Sequence, residues 1–588
     1  MTVDLGVHNL RASYRAGSLS CRQVIDEVLK RIAQAGDDKV WINRVSDAEL
    51  RATAEKLDAR RNEIEMLPLW GIPFAVKDNI DVAGLPTTAA CPGFAYTPAK
   101  SAKVVQQLVE AGAIVIGKTN LDQFATGLVG VRSPYGVPRN PFNADYIPGG
   151  SSSGSAVAVS SGLVSFALGT DTAGSGRVPA GFNNIVGLKP TPDRVSNEGV
   201  VPACASLDCV SVFALSCADA ALVSSIVDTK HPQGAGHGHF RFGVPRQLEF
   251  FGDAEYEALY LEAVRRLEVF GGTATPFDYA PFRDAAQLLY AGPWVAERTA
   301  AVGKFIEDAG AEARIWPTTR DIILGGRKYS AVDAFEGQYK LKALRERAQA
   351  EMRELDFLML PTAGTIYTLA DLEREPVRFN SNLGHYTNFV NFFRLSALAL
   401  PAGFRGDGLP FGITLVGHPG WDRMLLEFGA QWQRAVPLAL GRTSSVLPEP
   451  SADPSTNLDE RFAIAVVGAH MSGLPLNKEL LERNGRFERL ARTAPYYRLH
   501  ALPGGPPQRP GLVRSAKGGA SIELEVWSLP TWRVAEFVHR IPAPLGLGMV
   551  TLDDGTSVQG FLCESYATEG ARDITCFGGW RTYLKSLG

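Results

Sequence analysis

Gly169-Thr-Asp-Thr-Ala-Gly-Ser175-Gly-Arg177 sets three glycines about a single serine, and its chemistry dictates what the rest of the chain must supply. A serine hydroxyl is a weak nucleophile at its free pKa, so acyl transfer through Ser175 requires a neighbouring base. A buried lysine can serve, because desolvation disfavours its charged form. Gly71-Ile-Pro-Phe-Ala-Val-Lys77-Asp-Asn79 offers one: Lys77 closes an apolar run that reads as a buried strand end. A serine-rich stretch, Gly149-Gly-Ser151-Ser-Ser-Gly-Ser155, offers a hydroxyl to bridge the two. The expected relay carries the proton of Ser175 through Ser151 to neutral Lys77, then runs backwards to protonate the leaving group. Glycines let backbone N–H groups turn toward one point, so Thr172, Ala173, Gly174 and Ser175 are the expected oxyanion donors.

A Ser/Gly run by itself reads as a flexible linker. Here it leads directly into Ala156-Val-Ala-Val-Ser-Ser-Gly-Leu-Val-Ser-Phe-Ala-Leu168, small and apolar residues suited to a buried helix and then a strand. Two other patterns are decoys. Gly112-Ala-Ile-Val-Ile-Gly117-Lys118-Thr119 matches the P-loop letters, but its variable residues form a strand-like run where a phosphate-cradling turn is needed. Gly150–Gly154 matches the nucleophile elbow of α/β-hydrolases, yet turn chemistry rather than a strand precedes it.

The three stretches, in this order, resemble the amidase signature family over roughly residues 20–440. The resemblance implies an α/β fold with a mixed central sheet covered by helices. It also implies Ser175 as nucleophile, Ser151 as the bridging serine after a cis peptide, and Lys77 as base. Ala173 departs from the usual glycine, but a backbone donor needs no particular side chain.

At 588 residues with 45% apolar side chains, the chain is expected to bury more than one core. Its net charge of −3 leaves no electrostatic footprint for nucleic acid. No apolar span reaches the ~18 residues of a membrane helix, and the first residues lack a signal core, so a cytoplasmic protein is expected. Seven cysteines, none in C-x-x-C spacing, read as buried small hydrophobes around Cys204, Cys209 and Cys217. His231, His237 and His239 read as a solvated loop, and no metal or cofactor is expected.

Helical and strand-like runs alternate up to about residue 440, as in Ser101–Glu110 followed by Ala113–Ile116. Asp356–Thr362 and Leu409–Val416 read as core strands, and a helix through Met352 presents its charged run to solvent. Leu447–Asn457 holds three prolines and no periodicity, which makes 1–446 one domain, 447–460 a linker and 461–588 a second, smaller α+β or barrel-like domain. Its strand-like runs are Phe462–Val467, Ser521–Trp527 and Gly548–Leu552.

This layout, with Val467-Gly-Ala-His470 opening the second domain, resembles the allophanate-hydrolysing branch of the family, whose C-terminal domain is similar in fold to the γ-glutamylcyclotransferase-like group. Leu289-Tyr290-Ala-Gly-Pro-Trp-Val-Ala-Glu-Arg298 matches that branch's substrate-contacting stretch, which implies Tyr290 and Arg298 as substrate contacts. Arginine suits a carboxylate, since its planar fork donates two parallel hydrogen bonds. The resemblance further implies hydrolysis to ammonia and N-carboxycarbamate, with His470 as the histidine assisting the later decarboxylation. A glutamate partner matches any of Glu523, Glu525, Glu536 and Glu564. A homodimer is implied too, as is a separate urea carboxylase, or enzymes of cyanuric acid or biuret breakdown, to supply the substrate. An amidase for another small amide and an amidotransferase component of a tRNA-dependent complex remain rival readings.

Overall fold

The computed structural model describes residues 3–228, 240–448 and 461–587, apart from 482, 484, 531–533, 535, 536 and 539. His231, His237, His239, Glu536 and most of the proline-rich stretch lie outside the described residues. The described residues fall into two compact units, one holding those up to 448 and the other those from 461 on.

The first unit is built on a mixed sheet of β1 (Trp41–Arg44), β2 (Pro73–Lys77), β3 (Ile114–Thr119), β4 (Phe166–Asp171), β5 (Val186–Lys189), β6 (Cys209–Ala214), β7 (Phe240–Pro245), β8 (Gly272–Phe277), β9 (Phe357–Pro361), β10 (Ser396–Phe404) and β11 (Pro410–Gly417). Their order is β1-β3-β2-β4-β6-β5-β10-β11-β9-β7-β8. β2 lies parallel to both β3 and β4, while β4 runs antiparallel to β6. Every residue of β2, β4, β6, β9 and β11 is buried. Such continuous apolar runs belong to a sheet covered on both faces. The P-loop lookalike is strand β3, and Lys118 at its end pairs with Asp78 at 3.2 Å.

Ser153–Ser160 is a helix buried along all its eight residues, feeding β4 as the small-residue run predicts. Helices Ala280–Ala291 and Val295–Asp308 carry Tyr290 and Arg298, with Gly292-Pro293 between them. Helix Ala331–Met352 buries Leu341, Leu344, Ala348 and Met352, but its outer face holds exposed Val332, Phe335 and Tyr339 beside the anticipated charges.

The second unit pairs β12 (Arg461–Val466), β13 (Arg486–Arg492), β16 (Glu523–Pro530), β17 (Leu545–Thr551) and β18 (Ser557–Cys563) in one sheet, order β13-β16-β12-β18-β17. A smaller sheet orders β15 (Pro510–Arg514), β14 (Tyr497–Ala501) and β19 (Arg572–Asp573). Among the described residues no helix is long and apolar enough to cross a membrane.

Candidate active site

β2 and β4 bring Lys77 to its partners. Lys77, the last residue of β2, is fully buried; its Nζ lies 2.8 Å from Ser151 Oγ and donates to Thr170 Oγ1 at 2.7 Å. Burial lowers its pKa to about 7 against the pull of Asp122, Asp208 and Asp171, while Arg298 reinforces the lowering. A neutral amine has one lone pair; with one N–H directed at Thr170, that pair is free to face the Ser151 hydroxyl. Thr170 is a partner that sequence reasoning missed, because only the β2–β4 pairing sets it beside Lys77.

The peptide bond between Gly150 and Ser151 is cis. Asp122 organises this turn: its carboxylate accepts the N–H groups of Val129 at 3.2 Å and of Gly130 and Arg132 at 2.9 Å, while its own N–H donates to Ser151 O at 3.1 Å. A Cβ at position 150 would fall 2.1 Å from Asp122 Oδ2, so only glycine allows this approach.

The loop after β4 is anchored from both ends. Asp171 accepts the N–H of Gly174 at 2.9 Å and of Gly176 at 3.0 Å, and Arg177 grips it through Nε and Nη2, each at 2.9 Å. Burial alone would push the Asp171 carboxyl up; Arg177 holds it below the usual range. Gly174, expected as an oxyanion donor, is therefore engaged within the loop. The N–H groups of Thr172, Ala173 and Ser175 find no acceptor among the described residues. Ser175 Oγ makes no hydrogen bond there either, so the relay is closed from Lys77 to Ser151 and open at the nucleophile. Catalytic hydrogen bonds commonly tighten only when substrate is bound.

Arg298 is 1% exposed, and its guanidinium donates to Thr126 Oγ1 at 3.0 Å, Ala125 O at 3.5 Å and Tyr290 Oη at 3.4 Å. Its carbon centre stands 5.3 Å from the Tyr290 ring centroid. It makes no ion pair among the described residues, and its Nε is buried without a partner. A cavity of about 190 Å³ opens beside Tyr290, lined also by Arg132, Asp321, Lys328, Tyr329 and Asn380.

In the second unit, His470 Nε2 lies 3.3 Å from Glu479 Oε2, and its ring stacks on Phe561 and meets Phe537 edge-on. Burial lowers its pKa despite Glu479. These groups and Arg509 line a cavity of about 50 Å³. Of the glutamates considered, Glu525 is spent: Ser472 N–H, Ser472 Oγ, Trp527 Nε1 and Arg581 Nη2 all donate to it. Burial raises its pKa, but Arg581 leads the groups that hold it below the ordinary value. Glu523 pairs with Arg581 at 3.5 Å and Glu564 is exposed. The carboxylate at His470 is Glu479, a residue outside the expected set; nine residues on in sequence, it returns on the short helix Asn477–Leu481.

A buried lysine at a strand end in contact with one serine, with a second serine in a glycine loop on a mixed sheet, is an arrangement that resembles the amidase class of α/β enzymes. The chain belongs to the amidase family, whose model matches residues 23–426, and a model described as the allophanate hydrolase C-terminal domain matches residues 462–585. It is 42% identical over 601 residues to the urea amidolyase of Saccharomyces cerevisiae, covering 97% of this chain and 32% of that protein. The chain thus spans about a third of the length of these curated relatives. The solved allophanate hydrolase of Kluyveromyces lactis is 40% identical, with a TM-score of 0.79 and full coverage of both chains. A glutamyl-tRNA(Gln) amidotransferase component from Symbiobacterium thermophilum is 35% identical over 475 residues, 73% of this chain and 96% of that protein.

Proposed function

We propose that the protein hydrolyses allophanate, a urea bearing a carboxylate on one nitrogen. The observation that carries this reading is the buried, ion-pair-free guanidinium of Arg298 in the unit that holds the lysine–serine relay. Burying a guanidinium with no carboxylate in direct contact among the described residues is costly, and a substrate carboxylate that pairs with it offsets that cost on binding.

Neutral Lys77 takes the proton of Ser151 as Ser151 takes that of Ser175, whose Oγ attacks the terminal amide carbon. The N–H groups of Thr172, Ala173 and Ser175 receive the oxyanion. Collapse breaks the C–N bond, and the relay returns the proton to the departing ammonia. Water then enters by the same relay, cleaving the acyl-enzyme to free Ser175 and N-carboxycarbamate. Loss of carbon dioxide from that product leaves a nitrogen that must gain a proton, and His470 with Glu479 is the candidate carrier. Six buried cysteines and one exposed, all free, fit a reducing compartment, so the cytoplasm is the proposed location.

The amidotransferase relative matches 73% of this chain, whereas the allophanate hydrolase C-terminal model matches residues 462–585 of the second unit, which favours the reading adopted. Ammonia release per allophanate consumed, with Ser175→Ala as blank, tests it. Serine-dependent release from allophanate and not from simple neutral amides is expected; the reverse preference sinks the proposal.

A further inference from the structure

β4 and β6 pair antiparallel with Thr170 opposite Val210 and Asp171 opposite Cys209, so the next rung sets Thr172 against Asp208. There the backbone ladder stops and a side-chain bond takes its place: Thr172 Oγ1 donates to Asp208 Oδ1 at 2.5 Å. The strand end stays closed while the N–H groups of Thr172 and Ala173 remain unspent. The buried Asp208 carboxylate also accepts Ala203 N–H at 2.8 Å and Cys204 N–H at 3.1 Å, and its carbonyl accepts Asn197 Nδ2 at 2.6 Å. Together these bonds fold residues 203–208 into a rigid turn. On its far side that turn grips the helix bearing Arg298: Ser206 N–H and Oγ donate to Glu297 at 3.0 and 2.5 Å, and Cys204 Sγ lies 3.8 Å from Trp294 O. One short segment therefore touches both the nucleophile loop and the carboxylate-binding helix.

We propose that Asp208 is a positioning residue of the reaction: through the Thr172 hydroxyl it fixes the N-terminal half of the oxyanion loop, and through the 203–208 turn it holds that loop in register with the Arg298 helix. This rests on the hydrolase reading of the site. Asp171 and Arg177 fix only the other half of the loop, at Gly174 and Gly176. A misplacement of about 1 Å costs on the order of a hundred-fold in rate, so the anchor at Thr172 has a large lever on turnover.

The test compares Thr172→Ser, Thr172→Val, Asp208→Asn and the Thr172→Val/Asp208→Asn pair, on whichever amide the wild-type protein turns over. Absence of allophanate turnover by the wild type thus defeats the substrate assignment and leaves the positioning claim testable. Thr172→Ser keeps the hydroxyl and is expected to stay within about three-fold of wild-type kcat, whereas Thr172→Val falls roughly ten- to a hundred-fold. The double variant is expected to be no slower than its worse single parent, because both changes act on the Thr172–Asp208 bond. Asp208→Asn alone also removes a negative charge near Lys77, so the acid limb of its kcat/KM profile moves to lower pH, while that of Thr172→Val stays in place. Should Asp208→Asn fail to fold, the Thr172 pair decides. Wild-type kcat in Thr172→Val, or losses that multiply in the double variant, overturns the proposal.

Discussion

Arg177 and Arg298 are both buried, at 0% and 1% exposure, and the protein treats them in opposite ways. Arg177 meets Asp171 through two bonds of 2.9 Å and directs two further donors at Thr387 O and Asn391 Oδ1. Arg298 meets a threonine hydroxyl, a carbonyl and the hydroxyl and ring of a tyrosine, with no carboxylate in contact and an idle Nε among the described residues. A charge neutralised within the fold belongs to the scaffold, and a charge left without an ion pair is the one proposed above to meet the substrate carboxylate. Lys77 shows a third solution, since a buried amine can shed its proton where a guanidinium cannot.

The largest effect is expected at that third cation. Lys77→Met should lower kcat by about 10²–10⁴-fold, the range of general base catalysis. It should at the same time raise the melting temperature near pH 7, because the drop from the ordinary lysine value to about 7 corresponds to on the order of 4 kcal/mol of burial cost. The cost is fully present below pH 7 and fades as pH rises toward the ordinary lysine value, where the unfolded chain also gives up its proton. Wild-type stability should accordingly climb with pH across that window, and the variant's should stay flat. A variant less stable than wild type at pH 7 contradicts this account of Lys77.

Arg177→Met strands Asp171 and is expected to cost about 3–5 kcal/mol of stability, read by denaturant unfolding. Arg298→Gln is the sharpest contrast: no loss of stability is expected, with KM for allophanate rising about ten- to a hundred-fold and kcat changing far less. If both substitutions destabilise equally, the distinction between the two arginines fails. The smallest effect is the wild-type pH profile itself. kcat/KM should rise toward pH 7 as Lys77 loses its proton and level off above; a limb near pH 5 would point to a carboxylate as base.

Much of this is legible in the sequence alone. Fully buried strands are unbroken apolar runs, so Pro73–Lys77, Phe357–Pro361 and Pro410–Gly417 announce themselves. Glycines about Ser175 and Ser151 announce a backbone brought close to something. What stays hidden is decided by register and by side chains folding back. Thr170 and Asp208 matter through their strand neighbours, which the pairing of β4 with β2 and β6 fixes and local pattern does not. Gly174 reads as an oxyanion donor because its bond to Asp171, three residues back, is a feature of loop geometry. Glu479 escapes notice since its tie to His470 depends on how a short helix returns.

Lys77 touches Ser151 and Thr170, partners 74 and 93 residues further along the chain. No local folding event can assemble that contact, because β2 must wait for β4 to be made and to dock beside it in parallel. Loop closure over such separations is among the slower steps available to a chain. A nascent chain that has not yet delivered residues 166–171 to the sheet therefore holds a lysine but no base. Activity is expected to appear only after β4 has docked beside β2, which would leave half-made copies inert rather than promiscuous.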